Sequence, residues 1–331
     1  MLRCLYPGPV SDTSWLRFLR HPDPDCLIGL TARFAQRGSD DPRLSSEFSQ
    51  VVSSIRVGRT HKLTRPNRLE GPTRALCDRL SISKDGGPLQ FLDVGASDGI
   101  TTLEAVRIFE GCLRVSVRAC VIDPFIRLLR YRAGSIVEYR TPDQSPVMVR
   151  LGPIGLQLSS LDTSRDLLSR GIGRWYLSRE ALRRGMRVDA TISLVNPLVA
   201  ADPSVSVLEW DVRRHNPTLA GRFHAVRASN VLNHSYFSPL DIETALSHLH
   251  AYLLEGGLLL ISRSRLSRNG EADHGSIWQK QADRFVHRHS FGGGSEIAEF
   301  VNQYRPAERS RVAFTPMSAA ATTNRQQKAE A

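Results

Sequence analysis

Lysine is scarce in this chain. Only four lysines (Lys62, Lys84, Lys280 and Lys328) stand among 44 basic residues in 331 positions. The formal net charge of +11 is therefore almost wholly guanidinium. Cysteine is scarce too. Cys4, Cys26, Cys77, Cys112 and Cys120 are odd in number, irregular in spacing and contain no C-x-x-C pair. This argues against a disulfide scaffold or a zinc knuckle and fits a reducing compartment. No apolar run reaches the roughly 18 residues of a membrane helix. The opening MLRCLYPGPVSDTSW has no apolar signal-peptide centre. The expectation is a cytoplasmic, bacterial protein with no membrane partner.

What is present is an ordinary globular mix, 41% apolar and 23% charged, which can build a sizeable core. The arginines are spread along the chain rather than gathered in one block. A nucleic-acid partner is open but not favoured, since a GC-rich genome also replaces Lys by Arg.

Residues 1–85 show little strand pattern and read as a partly helical N-terminal extension, with a helix over Ser45–Ile55. Arg56–Arg74 reads as a solvated charged surface, with a flexible arm as the alternative. From Gly86 to about 308 the pattern is α/β. Leu89–Val94 is a strand, Gly95–Gly99 a turn, and Thr101–Val106 begins a helix. A second strand runs into Asp123-Pro124. An insertion covers about 132–200, with short strands over Glu138–Leu158 and a helical stretch over Asp162–Arg184.

Strands follow at Val205–Trp210 and Phe223–Ala228. Ser238-Pro239-Leu240-Asp241 carries a capping Ser, an N1 Pro and an acid at N3. Gly256-Gly257 is read as the end of that helix. Ser276–Phe291 supplies one or two further strands, and His287-Arg288-His289 reads as a solvated strand face rather than a metal pair. Residues 309–331 read as a disordered tail.

The segment Asp93-Val94-Gly95-Ala96-Ser97-Asp98-Gly99 carries most of the functional signal. Small residues at a strand-to-helix turn let backbone N–H groups approach a ligand. The same five residues also satisfy G-x-S-x-G, the nucleophile elbow of α/β-hydrolases. Ser97 would then be the nucleophile, with Asp211 and one of His234, His250 or His274 as partners. The first 87 residues show neither the strands nor the oxyanion loop that reading needs. A structural turn without a ligand is the third reading.

The loop resembles the D/E-x-G-x-G-x-G segment of class I S-adenosylmethionine-dependent methyltransferases, with Asp93, Gly95 and Gly99 matching and Ser97 in place of the middle Gly. Leu253–Leu260 resembles that family's L-x-P-G-G-x-L-x-I segment. The resemblance covers about Leu89–Arg263. It implies a Rossmann-like, seven-stranded, mostly parallel sheet with an antiparallel last strand. It also implies S-adenosyl-L-methionine as cofactor, held by Asp93, Gly95, Ser97, Gly99, Asp123, Asp211 and Asn230. Asp93 would face the amino-acid end, Asp123 the ribose and Asp211 the adenine, with Trp210 near it.

Asn230, Asn233, His234 and Tyr236 would lie beside the methyl acceptor. Of these, Asn230, His234 and Tyr236 are the catalytic candidates. Such chemistry needs alignment and dryness more than a triad or a metal. Arg227–Phe237 is similar to the R-N-V-L-x-Y-F segment of chemotaxis-receptor glutamate methyltransferases. That match is short, and the acceptor stays undetermined as a small molecule or a protein. A methyltransferase-like binding module with an inactive site is the non-enzymatic alternative.

Overall fold

The computed structural model describes residues 3–6, 20–37, 41–57, 60–62, 64, 66–81, 87–159, 167–267 and 270–306. The tail expected over 309–331 lies outside them. The chain begins with β1 (Arg3–Tyr6), β2 (Arg20–Pro22), α1 (Cys26–Arg37), α2 (Pro42–Ser54), β3 (Arg56–Val57), β4 (Thr60–His61) and α3 (Glu70–Cys77). It continues with β5 (Leu89–Val94), α4 (Ile100–Leu113), β6 (Val117–Asp123), β7 (Arg127–Ala133), β8 (Ile136–Arg140), β9 (Pro146–Leu151) and β10 (Ile154–Gln157). Then come α5 (Leu167–Ser178), α6 (Glu180–Arg184), β11 (Arg187–Ser193), α7 (Pro197–Ala201), β12 (Val205–Glu209) and β13 (Phe223–Ser229). The described chain closes with α8 (Pro239–Tyr252), β14 (Leu253–Ser267), β15 (Gly270–Gln281), β16 (Arg284–Phe291) and α9 (Ala298–Gln303).

Seven strands form one sheet in the order β12-β6-β5-β13-β14-β15-β16. The first five are parallel neighbours. β15 runs antiparallel to both β14 and β16. This is a Rossmann-like, mostly parallel α/β sheet. β5 (LQFLDV) is buried along nearly its whole length, as a parallel strand covered on both faces must be. Alternate residues serve opposite faces. Phe91 packs with Val106 and Phe109 of α4 and Leu76 of α3. Leu92 packs with Ile242, Leu246 and Leu249 of α8 on the other side. Each such fully buried side chain contributes about 1.5–3 kcal/mol.

The capping box at the start of α8 is present. Ser238 Oγ accepts from Asp241 N, and Asp241 Oδ2 accepts from Ser238 N. The glycine pair does not end that helix. α8 stops at Tyr252, and Gly256-Gly257 lie within β14, where the ladder to β13 shifts register between Phe223 and Ala225. A Cβ on Gly257 would lie 2.9 Å from Leu254 O and 3.1 Å from Phe223 O. Close backbone approach inside a strand, not a helix terminus, requires glycine there.

A second seven-stranded sheet has the order β11-β7-β8-β9-β10-β1-β2. Strands of the insertion and strands from before α1 thus share one sheet. Helices α1 and α2 pack on it through Leu27, Leu30, Phe34 and Phe48 against Leu128, Val137, Tyr139 and Val147. Asp23 is buried beneath this layer, bonded by Tyr139 and Arg150. The Arg56–Arg74 stretch is more than a charged surface. Val57, Lys62, Thr64, Leu69 and Thr73 are buried. Among the described residues no helix is long and apolar enough to cross a membrane.

Candidate functional site

A pocket opens at the carboxyl ends of β5, β6, β12 and β13. This is the switch point of an open parallel sheet, where ligands of such sheets bind. The turn after β5 forms its floor. Gly95, Ser97 and Gly99 all take left-handed φ, at 67°, 62° and 85°. Gly95 has a clear reason to be glycine, since a Cβ there would meet Val231 Cγ2 at 2.2 Å. Gly99 caps α4, and a Cβ on it would meet Val199 Cγ1 of α7 at 2.9 Å. Gly99 does not line the pocket, whereas Gly95 and Ser97 do.

Asp93, Asp123 and Asp211 all line the pocket, and each is already paired with a cation of this chain. Asp93 accepts Arg227 Nε at 3.0 Å and Nη2 at 2.5 Å, and Thr102 Oγ1 at 2.6 Å. Asp123 Oδ1 accepts Lys62 Nζ and Phe125 N, both at 2.8 Å. Its Oδ2 accepts Ser97 N at 3.1 Å. Asp211 takes Arg213 Nη2 at 2.6 Å and Nε at 3.0 Å. Burial works against the Asp211 charge, but Arg213 prevails and holds its carboxyl below the usual range.

The residues expected beside an acceptor separate. Asn230, Asn233 and Tyr236 line the pocket. Asn230, with φ of 62°, accepts Ser264 N at 2.8 Å on its Oδ1. Asn233 is buried and folds back on its own turn, accepting Ser235 N at 3.0 Å. His234 is exposed, its ring against Phe300 at 5.6 Å, and it does not line the pocket. Among the described residues no histidine does, and Ser97 Oγ donates to Lys62 O at 3.3 Å. A seryl nucleophile therefore has no imidazole base beside it among these residues. Among the described residues no group of three His, Cys, Asp or Glu could hold a metal ion.

Four residues escaped the sequence reading. Lys62 and Arg68 of the N-terminal part line the pocket. Arg227 and Asp98 sit behind it, fully buried. Asp98 accepts Ser49 Oγ at 2.5 Å, Thr64 Oγ1 at 2.8 Å, Ile100 N at 3.1 Å and Asn196 Nδ2 at 3.4 Å. Its carboxyl ties α2, the segment after β4 and the start of α7 to the glycine turn, and burial pushes its pKa up. A charged residue inside the apolar run FHAVRAS was the available signal for Arg227. For Lys62 the signal was its rarity in an arginine-rich chain.

No family model matches this chain, and no curated protein sequence matches it. Solved structures with a similar arrangement include the CMeT domain of the citrinin polyketide synthase. It is 13% identical, with 72% of this chain and 47% of that one covered at a TM-score of 0.31. The [4+2]-cyclase SpnF is 12% identical, with 65% and 52% covered and a TM-score of 0.28. Geranyl diphosphate C-methyltransferase from Streptomyces coelicolor A3(2) is 12% identical, with 59% and 45% covered and a TM-score of 0.28. The chain spans about half the length of these structures. Likeness this distant assigns no activity to this chain. Its own strand order defines it as a Rossmann-like α/β protein with an insertion and an N-terminal extension.

Proposed function

We propose that the chain is an S-adenosylmethionine-dependent methyltransferase. The observation that carries this reading is Asp123. Its carboxylate ends β6 beside the glycine turn of β5 and faces a pocket at the switch point of the sheet. A carboxylate there suits the two hydroxyls of a ribose. Gly95 and Ser97 offer backbone at close range, and Asp211 with Trp210 stands where an adenine would lie. Asp93 is consumed by Arg227 and Thr102, so its part is to fix the turn rather than to bind ligand charge directly.

S-adenosylmethionine, when bound, supplies a methyl group already activated on a sulfonium. The chain's own residues then need only align the acceptor and keep water out. Asn230 and Tyr236 are the pocket residues in position to do so, and Tyr236 carries the one phenol that lines the pocket among the described residues. The acceptor remains a small molecule or a protein.

Calorimetry with S-adenosylhomocysteine tests the reading. The intact protein is expected to release heat, Asp123→Ala to bind at least about tenfold more weakly, and Ser97→Ala to retain binding. Labelling of Ser97 by a fluorophosphonate would instead establish a hydrolase. One observation favours a second reading, an inactive binding module: all three expected acids are paired internally. In that case the protein binds no S-adenosylhomocysteine and transfers no labelled methyl group.

A further inference from the structure

We propose that Lys62 is a displaceable latch on the nucleoside subsite. The inference rests on the methyltransferase reading and concerns what a ribose must do to reach Asp123. The Lys62 ammonium and the Asp123 carboxylate form a buried ion pair at 2.8 Å, with side chains 4% and 7% exposed. Each carboxylate oxygen offers two lone pairs. Oδ1 spends both, on Lys62 Nζ and Phe125 N, and Oδ2 spends one on Ser97 N. A single acceptor position is left. Two vicinal hydroxyls need two, so the second opens only when the ammonium leaves.

The backbone around Lys62 is fixed on several sides. Lys62 N donates to Ile55 O at 3.4 Å and Lys62 O accepts from Ser97 Oγ at 3.3 Å. Two residues on, Thr64 N donates to Ser53 Oγ at 2.9 Å and Thr64 Oγ1 donates to Asp98 at 2.8 Å. The side chain therefore swings on its four-carbon stem while its anchor stays docked on the glycine turn. The pocket is small, about 210 Å³, below the roughly 300–1,000 Å³ usual for ligand sites. Departure of a lysine side chain enlarges it where the sugar belongs.

Phe125 N and Ser97 N would continue to hold Asp123 if Lys62 were truncated, so Lys62→Met keeps the carboxylate hydrogen-bonded. The latch makes the subsite selective. A ligand with both hydroxyls repays the broken ion pair, and one with a single hydroxyl fits the lone acceptor without releasing it.

Calorimetry with S-adenosylhomocysteine on the wild type and Lys62→Met tests the latch. The variant is expected to bind about tenfold more tightly, because no buried pair has to be broken. Equal or weaker binding by the variant overturns the latch and leaves the methyltransferase reading standing. No binding by either protein overturns both. A wild-type measurement covers a variant that fails to fold. Acetylation of Lys62 by an N-hydroxysuccinimide ester, read by mass spectrometry, is expected to rise several-fold on saturation with S-adenosylhomocysteine. Unchanged or reduced reactivity overturns the latch.

Discussion

Arg227 and Asp93 stand directly opposite each other in the ladder between β13 and β5, joined by two hydrogen bonds of 3.0 and 2.5 Å. Their side chains are 0% and 3% exposed. Thr73 Oγ1 and Thr101 O accept two more of the five guanidinium protons, at 2.7 and 3.0 Å. The pair binds α3, α4 and the two central strands into one unit beneath the pocket.

Such a pair costs more to break than to omit. Arg227→Met leaves the Asp93 charge buried and uncompensated, a loss of about 3–5 kcal/mol. Urea unfolding should show that loss. The double variant Arg227→Met/Asp93→Leu should recover much of it, and a double variant no more stable than the single one would contradict the account.

The glycine turn is set by packing as much as by any ligand. Gly95→Ala drives a Cβ into Val231 Cγ2, 2.2 Å away, at a φ of 67°. Overpacking and the left-handed backbone together should destabilise by about 2–4 kcal/mol. Adding Val231→Ala should restore the packing part and leave the backbone part, roughly 1–2 kcal/mol. Thermal melts of the three proteins check this.

Asp98 joins three separate parts of the chain to the glycine turn through three hydrogen bonds and accepts a fourth, local one from Ile100 N. Asp98→Ala leaves Ser49, Thr64 and Asn196 without their carboxylate and should cost about 3 kcal/mol or more. Hydrogen exchange should rise in α2 and around Thr64 before it rises in β5 and β13. A uniform rise would mean that Asp98 does not hold the N-terminal layer to the sheet.

His250 makes stability depend on pH. Its ring packs on Phe285 and Tyr304, each 5.2 Å away, and Nε2 has no partner among the described residues. Burial, and then the Lys280 charge, push its pKa from 6.5 down to about 4, against weaker opposing pulls from Glu255 and Asp283. The neutral ring is the folded form. Its contribution is full above pH 6.5 and is lost as pH falls towards 4. The whole swing is on the order of 3 kcal/mol. His250→Phe should flatten that part of the profile in urea titrations between these values. An unchanged profile would place the titration elsewhere.

Some of this was legible in the residues. The strand-turn-helix start around Gly95, the capping box at Ser238 and the burial of β5 follow from local pattern. So does the placing of Asp123 and Asp211 at or just past strand ends, because the last residues of parallel strands fall on the carboxyl edge of the sheet whatever packs around them. Gly256-Gly257 was not legible. A helix stop and a register shift in a strand both demand glycine, and only the neighbouring Phe223 carbonyl separates them.

The sequence by itself determined the α/β alternation around the pocket, the turn after β5, and the acids that end β6 and follow β12. Each depends on periodicity or on residues close together in the chain. Only the tertiary structure decided what those acids meet. Arg227 lies 134 residues from Asp93, and Lys62 lies 61 residues from Asp123. A buried charge takes its state from whichever opposite charge the fold brings within hydrogen-bond reach, and in a chain with 44 basic residues the pattern does not say which. Three acids free to meet a ligand were the expectation from the residues. The fold fills the pocket with matched pairs and sets one of the few lysines, Lys62, against Asp123.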